Sequence, residues 1–287
     1  MGIELDEDQV AAFRRDGYLF PLRVMSESDA GECYARFRSM ETNCGGALTG
    51  PLRYKPHILI TWLNKLIRHP RILDSVEGVI GPNILCWASS FFNKDAQDPS
   101  YVSWHQDSTY WGLSKPEVVT AWVAFTPSRV GNGCMQVIPG THTLDQVPHF
   151  DTTGEHNLLT RGQKVEVDVD ESQAVDIELE AGEISLHHVR LIHGSPPNSS
   201  KQRRIGYAIR YIPADIQQLY SDEDTATLVR GEDRFGNFIP EPTPVVDMDP
   251  EAVKFHARAN AVSGQVLYRG SEKKPYFTAD KETIGGR

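Results

Sequence analysis

The stretch Tyr101-Val-Ser-Trp-His105-Gln-Asp107 places a histidine and a carboxylate two residues apart in a segment of strand-like composition. Alternate residues of a β-strand project from the same face, so one strand can present both side chains to one metal ion. The chain holds 10 His and 39 Asp and Glu residues, and a His-x-acid pair is expected about once by chance in such a composition. A second copy, His149-Phe-Asp151, lies in a loop-like stretch without further support. The pair alone therefore predicts a metal site only weakly.

Short runs rich in β-branched or aromatic residues surround this stretch, and turn signals such as Gly81-Pro82-Asn83 separate them. They predict strands at residues 84–92, 118–125, 135–138, 174–179, 184–187 and 205–212. Before residue 81, the capping pattern of Asp6 and Gln9 predicts a helix from Asp6, and apolar spacing predicts helices over 28–40 and 62–79. A short strand is predicted at 18–20 and a loop at 41–56. Helices followed by many short strands predict a mainly β fold, a sandwich or barrel, with a helical N-terminal buttress.

The length of 287 residues fits one large domain better than two equal ones. We predict a single domain over residues 1–287 with four parts. Residues 1–80 form the helical buttress, 81–213 the β core with a loop insert at 143–165, 214–270 a C-terminal lid or embellishment, and 271–287 a mobile tail.

The charge balance and the cysteines limit the partners and the compartment. The formal net charge is −10, and an acidic surface repels phosphate backbones, which argues against nucleic acid and favours a small-molecule substrate. No uncharged stretch is long enough to span a bilayer, and the N-terminus is acidic from Glu4, unlike a signal peptide. The four cysteines form no CxxC group, which predicts reduced thiols in a cytoplasmic protein.

A second stretch strengthens the first His-x-Asp pair. It runs Leu186-His-His-Val-Arg-Leu-Ile-His193-Gly-Ser-Pro-Pro-Asn198, and Arg204 follows His193 by eleven residues on a predicted strand. With these motifs the chain resembles, from Asp16 to about Pro213, the phytanoyl-CoA dioxygenase-like family of iron(II)- and 2-oxoglutarate-dependent oxygenases. Residues 80–87, 120–126 and 132–141 resemble the syringomycin-type chlorinase branch of that family in particular.

The resemblance implies a double-stranded β-helix, a cupin-like jelly roll, in which His105, Asp107 and His193 bind iron(II). Three ligands on one face leave room for the 2-oxo acid and O2. Arg204 then stands where the family binds the far carboxylate of 2-oxoglutarate, and Thr120 and Trp122 stand where it lines that slot. Ordinary strand packing is the alternative for Thr120 and Trp122.

One departure from the chlorinase branch bears on the reaction. Halogenating members have a small residue in place of the carboxylate ligand, which opens a position for halide, whereas this chain has Asp107. Ser90 also stands where the chlorinases carry an acidic residue in the network around the halide. The resemblance therefore implies hydroxylation, in which 2-oxoglutarate is decarboxylated to succinate, and no catalytic side chain beyond the metal ligands.

The substrate candidates are assigned by position, and packing or surface roles remain open for each. Tyr110 and Trp111 could form an aromatic wall suited to an ammonium group, and Arg210 shares a strand face with Arg204. The remaining candidates are Asn93, Lys94 and Gln106.

We therefore expect a hydroxylase of a small polar metabolite such as an amino acid, an amine or an aminophosphonate. A carrier-tethered aminoacyl substrate, desaturation or cyclisation, and a non-redox metal-binding cupin-like protein remain as alternatives. A zinc hydrolase is disfavoured because the sequence has no HExxH motif.

Overall fold

A computed structural model describes residues 4–48, 50–152, 154, 156–159 and 161–271 of the chain. Apart from Ser271, the predicted tail at 271–287 lies outside these residues. Within them, no helix is long and apolar enough to cross a membrane, and all four cysteines are free thiols.

The N-terminal buttress contains four helices and one strand. These are α1 (Glu7–Asp16), β1 (Tyr18–Arg23), α2 (Glu27–Asn43), α3 (Thr61–Leu66) and α4 (Pro70–Ile80). The capping box of Asp6 and Gln9 begins α1, and Gly17 ends it in the left-handed conformation (φ 83°). The helical segment predicted over 62–79 is confirmed, but not as one helix. It is divided before Pro70, because proline lacks the N–H that a continuous helix would need and favours a first helical position.

A seven-stranded sheet forms the centre of the molecule, in the order β1-β9-β4-β11-β2-β12-β13. Its further strands are β2 (Ile84–Lys94), β4 (Val119–Ala124), β9 (Glu183–His188), β11 (Arg204–Pro213), β12 (Thr225–Arg230) and β13 (Ile239–Pro240). β11 lies between β2 and β4 and pairs antiparallel with both.

A four-stranded sheet in the order β3-β10-β5-β8 faces the large one. Its strands are β3 (Val102–His105), β5 (Met135–Val137), β8 (Val175–Ile177) and β10 (His193–Ser195), and a separate hairpin pairs β6 (His149–Asp151) with β7 (Gln163–Val165). An apolar cluster that includes Trp122, Ala208, Val137 and Ile177 packs the two sheets together. The predicted mainly β fold with a helical buttress is confirmed, and so are the six predicted strands, to within two residues at each end.

Alternation along the central strands separates two environments. Odd-numbered residues of β11 such as Tyr207 and Ile209 enter the main core beneath the helices, with Phe37, Leu63 and Ile72. Even-numbered residues of β11 point to the other face, toward the small sheet, where Arg204, Ala208 and Arg210 line cavities. The site described below lies between the two sheets.

The predicted insert and embellishment are more regular than their sequences suggest. The insert at 143–165 carries the β6–β7 hairpin, and residues 214–270 supply β12, β13 and α5 (Pro250–Leu267). β12 is hard to recognise because its buried positions include Thr225 and Thr227, whose hydroxyls donate to Glu241 at 2.7 and 2.6 Å.

Glu241 is the centre of a buried polar network. Its carboxylate accepts from Lys55 Nζ at 2.9 Å and from His57 Nε2 at 2.9 Å, and all three side chains are inaccessible to solvent. Burial would raise the pKa of Glu241, but Lys55, His57 and Thr227 outweigh it and hold the pKa well below its usual range. The network ties the loop before α3 to the C-terminal strands.

Replacing Lys55 with methionine removes the cation that compensates Glu241. We expect Lys55→Met to lower the free energy of unfolding by about 3–5 kcal/mol, because a buried charge is left unpaired. Urea unfolding measures the change. The control Glu223→Gln breaks the exposed Arg258–Glu223 pair and should cost less than about 1 kcal/mol. A Lys55→Met protein as stable as the parent would contradict this role.

Candidate metal centre and adjoining cavities

His105 and His193 face each other across the β3–β10 pair. Their backbones are in register, and their ring centroids lie 4.1 Å apart. His105 Nδ1 lies 2.9 Å from the carbonyl oxygen of Ser103, and His193 Nδ1 lies 2.9 Å from that of Leu191. A carbonyl can only accept, so each Nδ1 carries the proton and each Nε2 keeps its lone pair for a metal ion.

Asp107 completes the group from a different element than the strand geometry predicts. β3 ends at His105, and Asp107 begins a 3-10 turn over Asp107–Tyr110. Its backbone N–H donates to the carbonyl of Val189 at 3.0 Å, which fixes the turn beside β10. Asp107 Oδ1 lies 3.4 Å from His105 Nε2. One ligand atom from each of Asp107, His105 and His193 lies within 4.8 Å of the others.

The protonation states suit a divalent cation. Burial would raise the pKa of Asp107, but the neighbouring side chains of His105 and His193 and the positive charge of Arg210 outweigh it and hold the pKa well below its usual range. Burial lowers the pKa of His193 strongly. Two neutral imidazoles and one carboxylate on one face form the donor set of a non-haem iron site. The residues therefore fit the metal that the resemblance implies.

The second His-x-Asp copy is a structural element. His149 Nε2 accepts from the backbone N–H of Gln106 at 2.9 Å, and its Nδ1 lies 2.8 Å from the carbonyl of Val147. Asp151 forms an ion pair with Arg161 at 2.9 Å. Both side chains are thereby committed to holding the β6–β7 hairpin.

A cavity of about 440 Å³ extends from the metal ligands to Arg204. Thr120 and Trp122 line it, as does Arg204, which is 2% exposed. The Arg204 Nη1 donates to the carbonyl of Gly133 and lies 3.4 Å from Ser195 Oγ. Among the described residues, Arg204 Nε and Thr120 Oγ1 are buried without a hydrogen-bond partner.

Arg204 remains a cation in this setting. Burial lowers its pKa to about 10, which is still well above neutral pH. Its guanidinium lies 5.3 Å from the centroid of the Trp122 ring. A buried guanidinium with free donors beside an unpartnered hydroxyl is suited to a carboxylate.

Gly206 explains why the cavity wall is flat at this point. A Cβ on Gly206 would lie 1.8 Å from the Trp122 ring, so only glycine lets the indole lie across β11. Ala208 follows on the same face. Small residues between Arg204 and Arg210 therefore keep the slot open.

The predicted substrate residues fall into two groups. Trp111 and Arg210 line a second cavity of about 540 Å³ that shares Asp107 and Phe92 with the first. Lys94 is buried beside Arg204, where its Nζ donates to Ser195 Oγ and to the carbonyl of Pro196, and burial lowers its pKa to about 6.

The other three candidates line neither cavity. Tyr110 stacks on the Arg161 guanidinium, 3.6 Å from its ring centroid, and donates to Asp151 at 3.2 Å. Gln106 is buried, donates to the carbonyl of Arg190 and accepts from the backbone N–H of Val147, both at 2.9 Å. Asn93 projects from the face of β2 opposite Phe92. The substrate role predicted for these residues therefore has no support from their surroundings.

Sequence reasoning missed several cavity residues. Ser195 follows the ligand His193 by two positions on β10, so strand alternation was a usable signal for it. His187 lines the first cavity with its ring 5.0 Å from that of His193, and burial lowers its pKa to about 4. Phe92 and Met135 carry no signal that distinguishes them from ordinary core residues.

Comparison with known proteins places this geometry in context. The family model described as phytanoyl-CoA dioxygenase matches residues 13–206, which is more than half of the chain. A probable alpha-ketoglutarate-dependent hypophosphite dioxygenase of Stutzerimonas stutzeri is 30% identical over 166 residues, covering 57% of this chain and 57% of that protein. The chain thus spans little more than half the length of this curated relative.

Two solved structures are similar over most of the chain. A non-heme monooxygenase, ThoJ in its apo form, superposes with a TM-score of 0.81 at 33% identity, covering 91% of this chain and 97% of that one. CytC3 with Fe(II) and alpha-ketoglutarate superposes with a TM-score of 0.63 at 27% identity, covering 85% and 100%.

A metal-binding measurement separates the two His-x-Asp copies. We expect the protein to bind one Co(II) with the visible absorption of a protein-ligated ion, and His105→Ala to weaken the affinity at least about 100-fold because a direct ligand is lost. The matched variant His149→Gln should bind Co(II) within about threefold of the parent. Equal weakening by both variants would contradict the assignment of the metal to His105, Asp107 and His193.

Proposed function

The chain belongs to the phytanoyl-CoA dioxygenase family, and on that premise we propose that it is an iron(II)- and 2-oxoglutarate-dependent dioxygenase that hydroxylates a small polar metabolite. The observation that carries the proposal is the pairing of a His-Asp-His group with a buried arginine in one cavity. In the part of the chain that the structure describes, Arg204 forms no ion pair, and its Nε lacks a hydrogen-bond partner. A buried cation kept without a counter-charge is costly unless a ligand supplies one.

Each side chain then has a defined task. Iron(II) and 2-oxoglutarate, when bound, supply the activation of O2 for oxidation of a C–H bond. His105, Asp107 and His193 would hold the metal through one donor atom each. Arg204 and Thr120 receive the far carboxylate of the oxo acid, with the Trp122 ring as one wall of the slot.

The remaining walls control access of water. Phe92, Val102 and Met135 line the same cavity and are apolar, so they exclude water from the space beside the metal ligands. The cavity also orients what enters it, because the metal end and the Arg204 end are chemically different. A diacid with one oxo group can match both ends in one orientation only.

Two observations favour hydroxylation of a free small molecule. Asp107 occupies the third ligand position, which leaves no place there for a halide ion. The net charge of −10 disfavours docking of an acidic carrier protein. Desaturation and cyclisation use the same site residues and differ only in substrate pose, so they remain alternatives.

A non-redox metal-binding protein is the candidate from another class. Such a protein has no need for a buried carboxylate site next to its metal, so the Arg204 slot disfavours it. Loss of Arg204 separates the two classes directly.

Anaerobic addition of Fe(II) and then 2-oxoglutarate tests the oxygenase proposal. We expect a visible charge-transfer band that requires both additions. Arg204→Met should raise the 2-oxoglutarate concentration needed for half of the band at least about 30-fold, because a charge-assisted pair worth about 2 kcal/mol or more is lost. A surface variant, Arg258→Met, is the control. A parent protein that binds iron but forms no band, or an Arg204→Met protein with unchanged affinity, would overturn the proposal.

Gly206→Ala tests the slot geometry without removing any polar group. The new methyl group must displace the Trp122 ring, and we expect the affinity for 2-oxoglutarate to fall about tenfold while Fe(II) still binds. Gly131→Ala, where a Cβ meets nothing within 4 Å, is the matched control. Titration of the charge-transfer band gives both values. Unchanged affinity in Gly206→Ala would show that the Trp122 ring does not shape the slot.

A further inference from the structure

Arg210 is a second buried arginine on the cavity face of β11. Its side chain is 7% exposed, and one Nη donates to Ser90 Oγ. Its Nε is buried without a partner, and among the described residues it forms no ion pair. A guanidinium has five N–H donors, and the hydrogen bond to Ser90 uses one of them.

Arg210 and Arg204 serve different ends of the space between the sheets. They are six residues apart on one strand, which separates their Cα atoms by about 20 Å. Arg204 contacts Gly133 and Ser195, whereas Arg210 lies beside Ser90 with the Phe92 and Trp111 ring centroids 5.5 and 5.8 Å from its guanidinium carbon. Arg210 lines both cavities, as do Asp107 and Phe92.

The second cavity is largely apolar around this one cation. Its walls include Trp87 and Trp111, whose rings pack 5.0 Å apart, and Leu158, Leu159 and Leu267 from the insert and the C-terminal helix. The other charged group along it is Asp107, whose carboxylate is already assigned to the metal. The cavity thus offers a positive charge and hydrogen-bond donors at the metal end, and apolar surface beyond.

We propose that Arg210 binds an oxyanion of the substrate, a carboxylate or a phosphonate, so that the oxidised molecule is an anion with an apolar portion seated against Trp87 and Trp111. A planar guanidinium with free donors can grip either group through two parallel hydrogen bonds. The aromatic wall beside it packs the carbon skeleton. This inference rests on the proposed function, because only an oxygenase would oxidise the bound molecule. It narrows the expected substrates to amino acids and aminophosphonates and excludes simple amines.

The position of Arg210 also orients the bound molecule. Arg210 and Asp107 line the same two cavities, so the end of the molecule that carries the anionic group comes closest to the metal ligands. Carbons farther along the chain lie against the leucines of the outer wall. Oxidation near the anionic group follows from this arrangement.

Four probes with one carbon skeleton test the inference without turnover. Phenylacetate, benzylphosphonate, phenylacetamide and benzylamine each carry a benzyl group and differ only in the head group. They are titrated anaerobically into protein loaded with Fe(II) and 2-oxoglutarate, so that Arg204 is already occupied. Binding is followed by calorimetry and by quenching of tryptophan fluorescence, since two tryptophans line the cavity. The two anions also distinguish carboxylate from phosphonate recognition.

We expect at least one of the anions to bind about tenfold or more tightly than the amide and the amine. Arg210→Gln should reduce this preference to within about threefold while the charge-transfer band of the loaded protein is retained, and Arg210→Lys should restore part of it. Arg258→Gln is the surface control. An amide or amine that binds as tightly as both anions, or an Arg210→Gln protein that keeps the preference, overturns the inference.

The same experiment separates this inference from the proposed function. If the parent protein forms no charge-transfer band with Fe(II) and 2-oxoglutarate, the oxygenase proposal fails. If the same parent protein still prefers the anions, and Arg210→Gln removes that preference, the assignment of an oxyanion site to Arg210 stands.

Discussion

The pairing of β11 between β2 and β4 is the constraint on which the site depends. Because both neighbours pair with β11 in continuous register over residues 206–210, the side chains there alternate between the helix-covered core and the space between the sheets. Tyr207 and Ile209 anchor one face in the core. The other face presents Arg204, Gly206, Ala208 and Arg210 in sequence, so two cations stand at the ends of a strip of small residues. A shift of one residue in this register would bury the arginines among the helices and remove both anion sites.

Much of this arrangement could be predicted from the sequence, because its signals are local. Strand alternation and turn residues predict the six strands, and the family resemblance carried by two short motifs implies the roles of His105, Asp107, His193 and Arg204. What could not be predicted depends on contacts between distant residues. Asp107 reaches the metal face from a 3-10 turn fixed by Val189, and the side chain of Gln106 is bound by Gln146 and Val147 of the insert.

Three features of the structure were harder to predict, each for its own physical reason. β12 escaped prediction because polar residues occupy its buried positions, where Lys55 and Glu241 satisfy them from other parts of the chain. The break before Pro70 has a different cause. Proline disfavours a continuous helix at this point, but the apolar spacing over 62–79 continues across it and hides the break. The strand face of Arg210 could be predicted, but its lack of an ion-pair partner among the described residues is visible only in the structure.

The central claim is that one cavity holds a metal on three side chains and a diacid that reaches Arg204. A crystal structure of the protein grown anaerobically with Mn(II), as a redox-stable stand-in for iron, and 2-oxoglutarate tests it most directly. The account predicts Mn(II) bound by His105 Nε2, His193 Nε2 and the Asp107 carboxylate, with the far carboxylate of the oxo acid on Arg204 and with Arg210 left free. A metal bound elsewhere, or a far carboxylate seated on Arg210, would contradict it.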